Sequence, residues 1–230
     1  MRAVPGIILQ ARMASQRLPG KALQVVGGRT VLEHCLRRLS ASGIGRVVLA
    51  TTERPEDDAL EAVASSLNIP TFRGGEHDVL DRFVRCASRF DIDPVIRATG
   101  DNPAVDIDGA RRLLELVQET RADYVIEEGL PYGAAVECVK ASALGVAAML
   151  ARDPFDREHV TTFVRRRHDL FKIVAVPAPE SLRHPGVKVT VDTWDDLQQL
   201  RDLFARAGGE MPSLVDLIAA AGDLTQSEVA

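Results

Sequence analysis

The feature that most narrows the fold is a rhythm of short apolar runs separated by amphipathic stretches. "GIIL" at 6–9, "RVVLATT" at 46–52 and "PVIRATG" at 94–100 are rich in β-branched residues and end in small or polar ones. Runs that stay apolar at successive positions suit strands buried on both faces, as in a parallel sheet. Between them, "TVLEHCLRRLSASG" sets Val31, Leu32, Cys35, Leu36 and Leu39 on one helical face and closes at Gly43. "PEDDALEAVASSLN" opens with Pro55 and three acids, a favourable helix start. "DVLDRFVRCASRF" and "DIDGARRLLELVQET" repeat the pattern, with Asp106 and Asp108 reading as caps of the second. This alternation through about residue 126 predicts an α/β fold: a three-layer α/β/α sandwich around a mostly parallel sheet.

Beyond Tyr124 the rhythm loosens. The expected order is a strand in "AAVECVKASAL" leading into a helix at 141–151, a helix over "DREHVTTFVRRRHDLF", an extended "FKIVAVPAP" and a final strand "VKVTVD". "TWDDLQQLRDLFARAG" then reads as an amphipathic helix opened by a capping box of Thr193 and Asp196. A short helix at 212–220 and a frayed tail at 221–230 complete the chain. No repeat or linker-like composition interrupts it, so residues 1–220 are expected to form a single domain.

Aromatic residues are only 4% of the 230, so the core is expected to be aliphatic. A net charge of -5 argues against a nucleic-acid partner, which calls for a basic stripe. Cys35, Cys86 and Cys138 lack C-x-x-C spacing and fall in apolar stretches, which points to core packing and a reducing compartment. The first apolar run is too short for a signal peptide, and no stretch is long enough to span a bilayer. The expectation is a soluble, cytoplasmic protein with no membrane partner.

Against that acidic background, "LQARMASQRLPGKAL" at 9–23 gathers Arg12, Arg17 and Lys21, and no acid precedes Glu33. In an open parallel sheet ligands bind beyond the carboxyl ends of the strands, and this loop follows the first strand directly. A cationic loop there suits a polyphosphate. It is not the ATPase P-loop, because Gly20-Lys21 lacks the upstream Gly and the following Ser or Thr. Two further strand ends carry carboxylates: Asp101 in "RATGDNPAVD" and Asp192 in "VTVDTWDDL". Each is also explicable as a turn or cap residue. Together with the loop they form the equipment of metal-assisted nucleotidyl transfer, with carboxylates for Mg²⁺ and cations for departing pyrophosphate.

These segments, with "VVLATTERPEDD", "FRGGEHDVLDRF" and "DREHVTTFVRR", resemble in order the cytidylyltransferases that activate sugar acids. The nearest branch is the spore-coat-polysaccharide type, related to acylneuraminate and Kdo cytidylyltransferases. The resemblance runs from residue 7 to about 204, and its most specific motif spans Ala11 to Lys21. It implies a GT-A-like nucleotide-diphospho-sugar transferase fold that moves CMP from CTP onto a hydroxyl of a sugar acid or related acidic acceptor and releases pyrophosphate. By resemblance, Ala11, Arg12, Arg17 and Lys21 match the triphosphate loop, with Arg12, Lys21 and Asp101 as catalytic residues. Asp101 and Asp192 match metal ligands for Mg²⁺, while Arg73, Asp78 and Arg82 match a nucleotide-binding segment. Glu137 and His159 fall on the acceptor side, and relatives are commonly homodimers. The sequence departs at "YGAAVECV", where Ala135 stands in place of the family's frequent Asp. A GT-A glycosyltransferase would instead use a D-x-D motif, for which 91–93 and 106–108 are the candidates. A catalytically inactive nucleotide-binding partner protein is the other alternative.

Overall fold

The computed structural model describes residues 3–227. In chain order its strands are β1 (Val4–Gln10), β2 (Val25–Val26), β3 (Arg29–Thr30), β4 (Arg46–Thr52), β5 (Thr71–Gly74), β6 (Ile92–Thr99), β7 (Tyr124–Glu128), β8 (Glu137–Val139) and β9 (Ile173–Pro177). The helices are α1 (Val31–Ala41), α2 (Asp58–Ser66), α3 (Val79–Phe90), α4 (Gly109–Thr120), α5 (Ala141–Leu150), α6 (Pro154–Glu158), α7 (Thr162–Arg166), α8 (Trp194–Ala207) and α9 (Leu214–Ser227).

Seven strands form one sheet in the order β5-β4-β1-β6-β8-β7-β9. All neighbours are parallel except β8, which runs antiparallel to both β6 and β7. Successive strand residues feed opposite layers, as the two-residue period of a strand requires. Ile7 and Leu9 pack beneath α1, α2, α4, α8 and α9, whereas Ile8 packs with α3, α5 and α7. The expected three-layer α/β/α sandwich therefore stands. All three cysteines are buried and free, and burial pushes the Cys86 and Cys138 thiols up to about 12.

Four local expectations need correction. The helix expected over 156–171 divides into α6 and α7, because Val160 between them takes a φ of 46°. That left-handed conformation breaks the helical hydrogen-bond ladder and is costly for a β-branched residue. "VKVTVD" is not a sheet strand. It crosses the strand ends, where Val189 N–H donates to Tyr132 O and Val191 N–H to Asp101 O, both at 2.9 Å. Asp108 stands at the start of α4 without a side-chain capping bond, and Asp106 instead accepts from Arg112 Nη2 at 2.5 Å. Finally, α9 runs on to Ser227 through the stretch read as a tail, started by a Ser213–Asp216 cap and carried by an Ala-rich run. Residues 228–230 of that tail lie outside the described residues.

Registers of Gln10 with Ala50 and with Thr99 bring the carboxyl ends of β4, β1 and β6 side by side. The β1–β6 edge closes at Gly100, whose N–H donates to Gln10 O at 2.8 Å. A Cβ there would lie 2.7 Å from Ala11 Cβ and 3.1 Å from Gln10 O. Gly100→Ala is accordingly expected to destabilise the fold by about 1–3 kcal/mol through overpacking, measured by urea unfolding. A stability equal to wild type would show that the two strand ends can separate freely.

Candidate active site

A cavity of about 450 Å³ opens at the carboxyl ends of β1 and β6. Its floor is the loop that leaves β1. Ser15 and Gly20 N–H groups both donate to Met13 O, at 2.9 and 3.2 Å, so the loop folds back on itself. Gly20 takes a φ of 69°, and a 3₁₀ turn over Lys21–Leu23 follows. Leu18, only 1% exposed, pins the loop to the core.

This folding aims Lys21 at both carboxylates. Its Nζ donates to Asp101 Oδ2 at 2.7 Å and to Asp192 Oδ1 at 3.0 Å. Arg17 also reaches Asp192 Oδ1, at 2.9 Å, and Arg12 pairs with Glu158 Oε1 at 2.8 Å. Asp192 is fixed from behind, because its N–H donates to Asp196 Oδ2 at 3.0 Å. Asp196 closes the expected capping box with Thr193 and accepts Lys188 Nζ at 2.6 Å. Burial alone would raise the Asp196 pKa, but Lys188 and the Asp192 and Thr193 amides together hold it below the usual range.

Asp101 and Asp192 thus lie near enough to share one cation. Among the described residues no group of three or more His, Cys, Asp or Glu is placed to hold a metal. Two carboxylates fit Mg²⁺, which commonly takes one or two of them and completes its shell with phosphate oxygens and water.

Ala11, Arg82 and His159 also line the cavity, and the His159 ring packs against Phe155 at a tilt of 50°, with centroids 4.2 Å apart. Three other expected site residues do not. Arg73 is a brace, donating to Thr52 O at 2.8 Å, to Arg54 O at 2.6 Å and to Asp58 Oδ1 at 2.5 Å. Asp78 caps α3 by accepting from Asp81 N–H at 2.9 Å, and it pairs with Arg157 to join α3 to α6. Glu137 is buried. It accepts from Arg97 Nη1 and Tyr124 OH, both at 2.5 Å, and from Thr161 Oγ1 at 3.0 Å. Burial would raise its pKa, but Arg97 and the Tyr124 hydroxyl outweigh that and keep it ionised. Glu137 therefore ties β6, β7 and β8 to α7. Ala135 is half-buried against the apolar layer of α4 and α8. Asp91 and Asp93 lie at the opposite, amino-terminal end of β6, where Asp93 accepts from Ala141 N–H.

One residue of consequence escapes a reading of the sequence. Asp57, 2% exposed, accepts from Met13 N–H at 2.7 Å, Thr51 Oγ1 at 2.9 Å, and both N–H and Oγ1 of Thr52. It locks the cationic loop to the end of β4 immediately after Arg12. In "ERPEDD" it passes for an ordinary acid of a helix first turn.

The doubly wound sheet, with a cationic loop facing two carboxylates at its carboxyl edge, has the nucleotide-diphospho-sugar transferase fold. The chain belongs to the cytidylyltransferase family, whose profile matches residues 6–214. It is 34% identical over 207 residues to the spore coat polysaccharide biosynthesis protein SpsF of Bacillus subtilis, covering 87% of this chain and 86% of that protein. A cytidylyltransferase from Leptospira borgpetersenii superposes with a TM-score of 0.91 at 29% identity, covering 98% and 96% of the two chains. A CMP-2-keto-3-deoxy-manno-octonic acid synthetase complexed with CTP shares the fold, with a TM-score of 0.64 at 18% identity over 89% and 99%.

Asp57→Ala leaves two amides and two hydroxyls without their acceptor, and a loss of about 2–4 kcal/mol is expected by urea unfolding at pH 7. Burial would raise the Asp57 pKa, but the Thr52, Met13 and Thr51 donors outweigh it, so the folded value lies below the usual one. The stabilisation from that shift is present above the unfolded pKa of about 3.9 and is lost as pH falls through the folded value. The gap between wild type and variant should accordingly narrow from pH 7 to pH 2. A gap that widens would contradict the role given to Asp57.

Proposed function

We propose that the protein transfers CMP from CTP to a hydroxyl of a sugar acid or related acidic acceptor, releasing pyrophosphate. The observation that carries this reading is the convergence of Lys21 on Asp101 and Asp192 beside a cationic strand-end loop. In the reading, Arg12, Arg17 and Lys21 neutralise the β- and γ-phosphates and the charge that grows on departing pyrophosphate. Asp101 and Asp192 would hold Mg²⁺, which when bound supplies charge neutralisation at the α-phosphate and lowers the pKa of an attacking hydroxyl. Backbone bonds fix the loop and both carboxylates before substrate arrives, so little reorganisation is needed at the moment of transfer.

In the reading, His159, which lines the cavity, meets the acceptor. Glu137 supports that side indirectly, through Thr161 two residues beyond His159. A homodimer belongs to the same proposal. Its support is a group of exposed apolar side chains, Met149 and Leu150 at the end of α5 and Phe155 in α6. Among the described residues no helix is long and apolar enough to cross a membrane.

The test is pyrophosphate release from CTP and Mg²⁺ with sugar acids, phosphorylated sugars and phosphonates as acceptors. Lys21→Ala and Asp101→Ala should each lower the rate about 10²–10³-fold while circular dichroism stays native. Near-normal turnover in both variants would refute the assignment, and release of a nucleoside diphosphate from a nucleotide sugar supplied in place of CTP would point to glycosyl transfer.

A further inference from the structure

The backbone of Asp101 is held on one side by the segment before α8, where Val191 N–H donates to its carbonyl at 2.9 Å and Thr190 Oγ1 at 3.2 Å. From the helical layer comes a single long side chain. Arg38, on α1, is fully buried and does not line the cavity. Its Nε donates to Val105 O at 2.8 Å and its Nη1 to Pro212 O at 2.7 Å. Val105 closes the turn that begins at Asp101, since its own N–H donates to Asn102 O at 3.2 Å. Pro212 lies in the loop that leads into α9. Among the described residues, no other side chain of an α-helix hydrogen-bonds to residues 101–105.

A guanidinium in that place is expensive to keep. Both of its partners are neutral carbonyls, and no acid lies within ion-pair distance of it among the described residues. Burial holds its pKa below the usual value, and the charge of the more distant Asp106 does not offset this. Its neighbours on the buried face of α1 are Val31, Leu32, Cys35, Leu36 and Leu39, among which an unbranched apolar side chain would pack without that cost. An apolar residue would not, however, hold two carbonyls at a fixed separation, as a planar charged fork does. Cys35, one turn earlier on α1, has the Asn102 amide beside it, so two residues of the helix underlie the turn.

We propose that Arg38 is a positioning residue for Asp101, setting from the helical layer how well the strand-end carboxylates take a divalent cation. The inference rests on the nucleotidyl-transfer reading, in which Asp101 and Asp192 hold Mg²⁺, and adds to it a residue outside the cavity. Asp192 has its own support in Asp196, whose carboxylate accepts its N–H. Arg38 gives Asp101 the corresponding support through Val105 O. The second bond, to Pro212 O, fixes the guanidinium itself, so the turn is tied to α1 and to the start of α9 at once. Mg²⁺ tolerates little departure from octahedral geometry. A carboxylate displaced by a loosened turn therefore weakens the metal more than it weakens phosphate contacts of the cationic loop.

Arg38→Met and Arg38→Lys test this by calorimetric titration with CTP, without divalent metal and over a series of Mg²⁺ concentrations, at a temperature where urea unfolding shows the variants folded. Metal-free CTP affinity is expected to match wild type in both. The Mg²⁺ concentration that gives half of the tightening should rise about 10- to 100-fold in Arg38→Met. It should rise less in Arg38→Lys, which keeps the charge and loses the fork. Leu60→Ala, which opens the same apolar layer without touching the turn, should leave that concentration unchanged. A Mg²⁺ dependence in Arg38→Met equal to wild type would overturn the assignment. So would a shift in Leu60→Ala as large as that in Arg38→Met, since the effect would then be one of stability alone. Should Arg38→Met not fold, Arg38→Lys decides in its place, and an unshifted Mg²⁺ dependence there overturns the assignment. Wild-type CTP binding that Mg²⁺ does not tighten would instead overturn the nucleotidyl-transfer reading, and the role of Arg38 with it.

Discussion

A single ammonium held between two carboxylates organises this molecule. Lys21 Nζ joins the loop after β1, the turn after β6 and the segment before α8, which lie 80 and 171 residues from it along the chain. Each of these pieces is irregular backbone at the edge of a regular sheet. The pairing is 12–27% exposed on its members, too dry to be an ordinary surface bridge and too open to be a permanently buried one. Such a pair is stable enough to shape the site and accessible enough to be exchanged.

The remainder of the fold serves to keep those three pieces in place. Gly100 lets the ends of β1 and β6 approach, Asp57 fastens the cationic loop to β4, and Asp196 fastens Asp192 from the side of α8. Glu137 does the corresponding work on the other side of the sheet, where Arg97, Tyr124 and Thr161 converge on it. Asp57, Asp196 and Glu137 are all carboxylates whose several donors outweigh the cost of burial. They hold the frame around the two carboxylates that line the cavity.

What the sequence disclosed follows from the range of the interactions involved. Apolar runs, capping residues and the loop with three cations are local patterns, so β1, β4 and β6, α1 to α4 and the cationic loop that carries Lys21 were legible, whereas the short β5 and β7 were not. Asp57 and Glu137 depend on partners that only the fold supplies, and so they read respectively as a helix-start acid and as a substrate ligand. Arg73 and Asp78 share a motif with Arg82, yet tertiary contacts turn the first two into braces and leave the third in the cavity. The short β8 was legible as a strand but its antiparallel direction was not, since direction depends on a chain reversal with no local signature. Nothing in "DREHVTTFVRR" announces that Val160 takes a left-handed conformation and divides the helix.

If Lys21 is to serve phosphates during transfer, it must leave Asp101 and Asp192 when those carboxylates find another counterion. Removing their charge should therefore free it in advance. The most direct measurement is CTP affinity in the absence of divalent metal, by calorimetry, for wild type and for the Asp101→Asn, Asp192→Asn double variant. The account predicts tighter metal-free binding in the double variant, together with loss of the tightening that Mg²⁺ brings to wild type. Metal-free binding that is weaker than or equal to wild type would mean that Lys21 does not exchange partners, and would contradict the account.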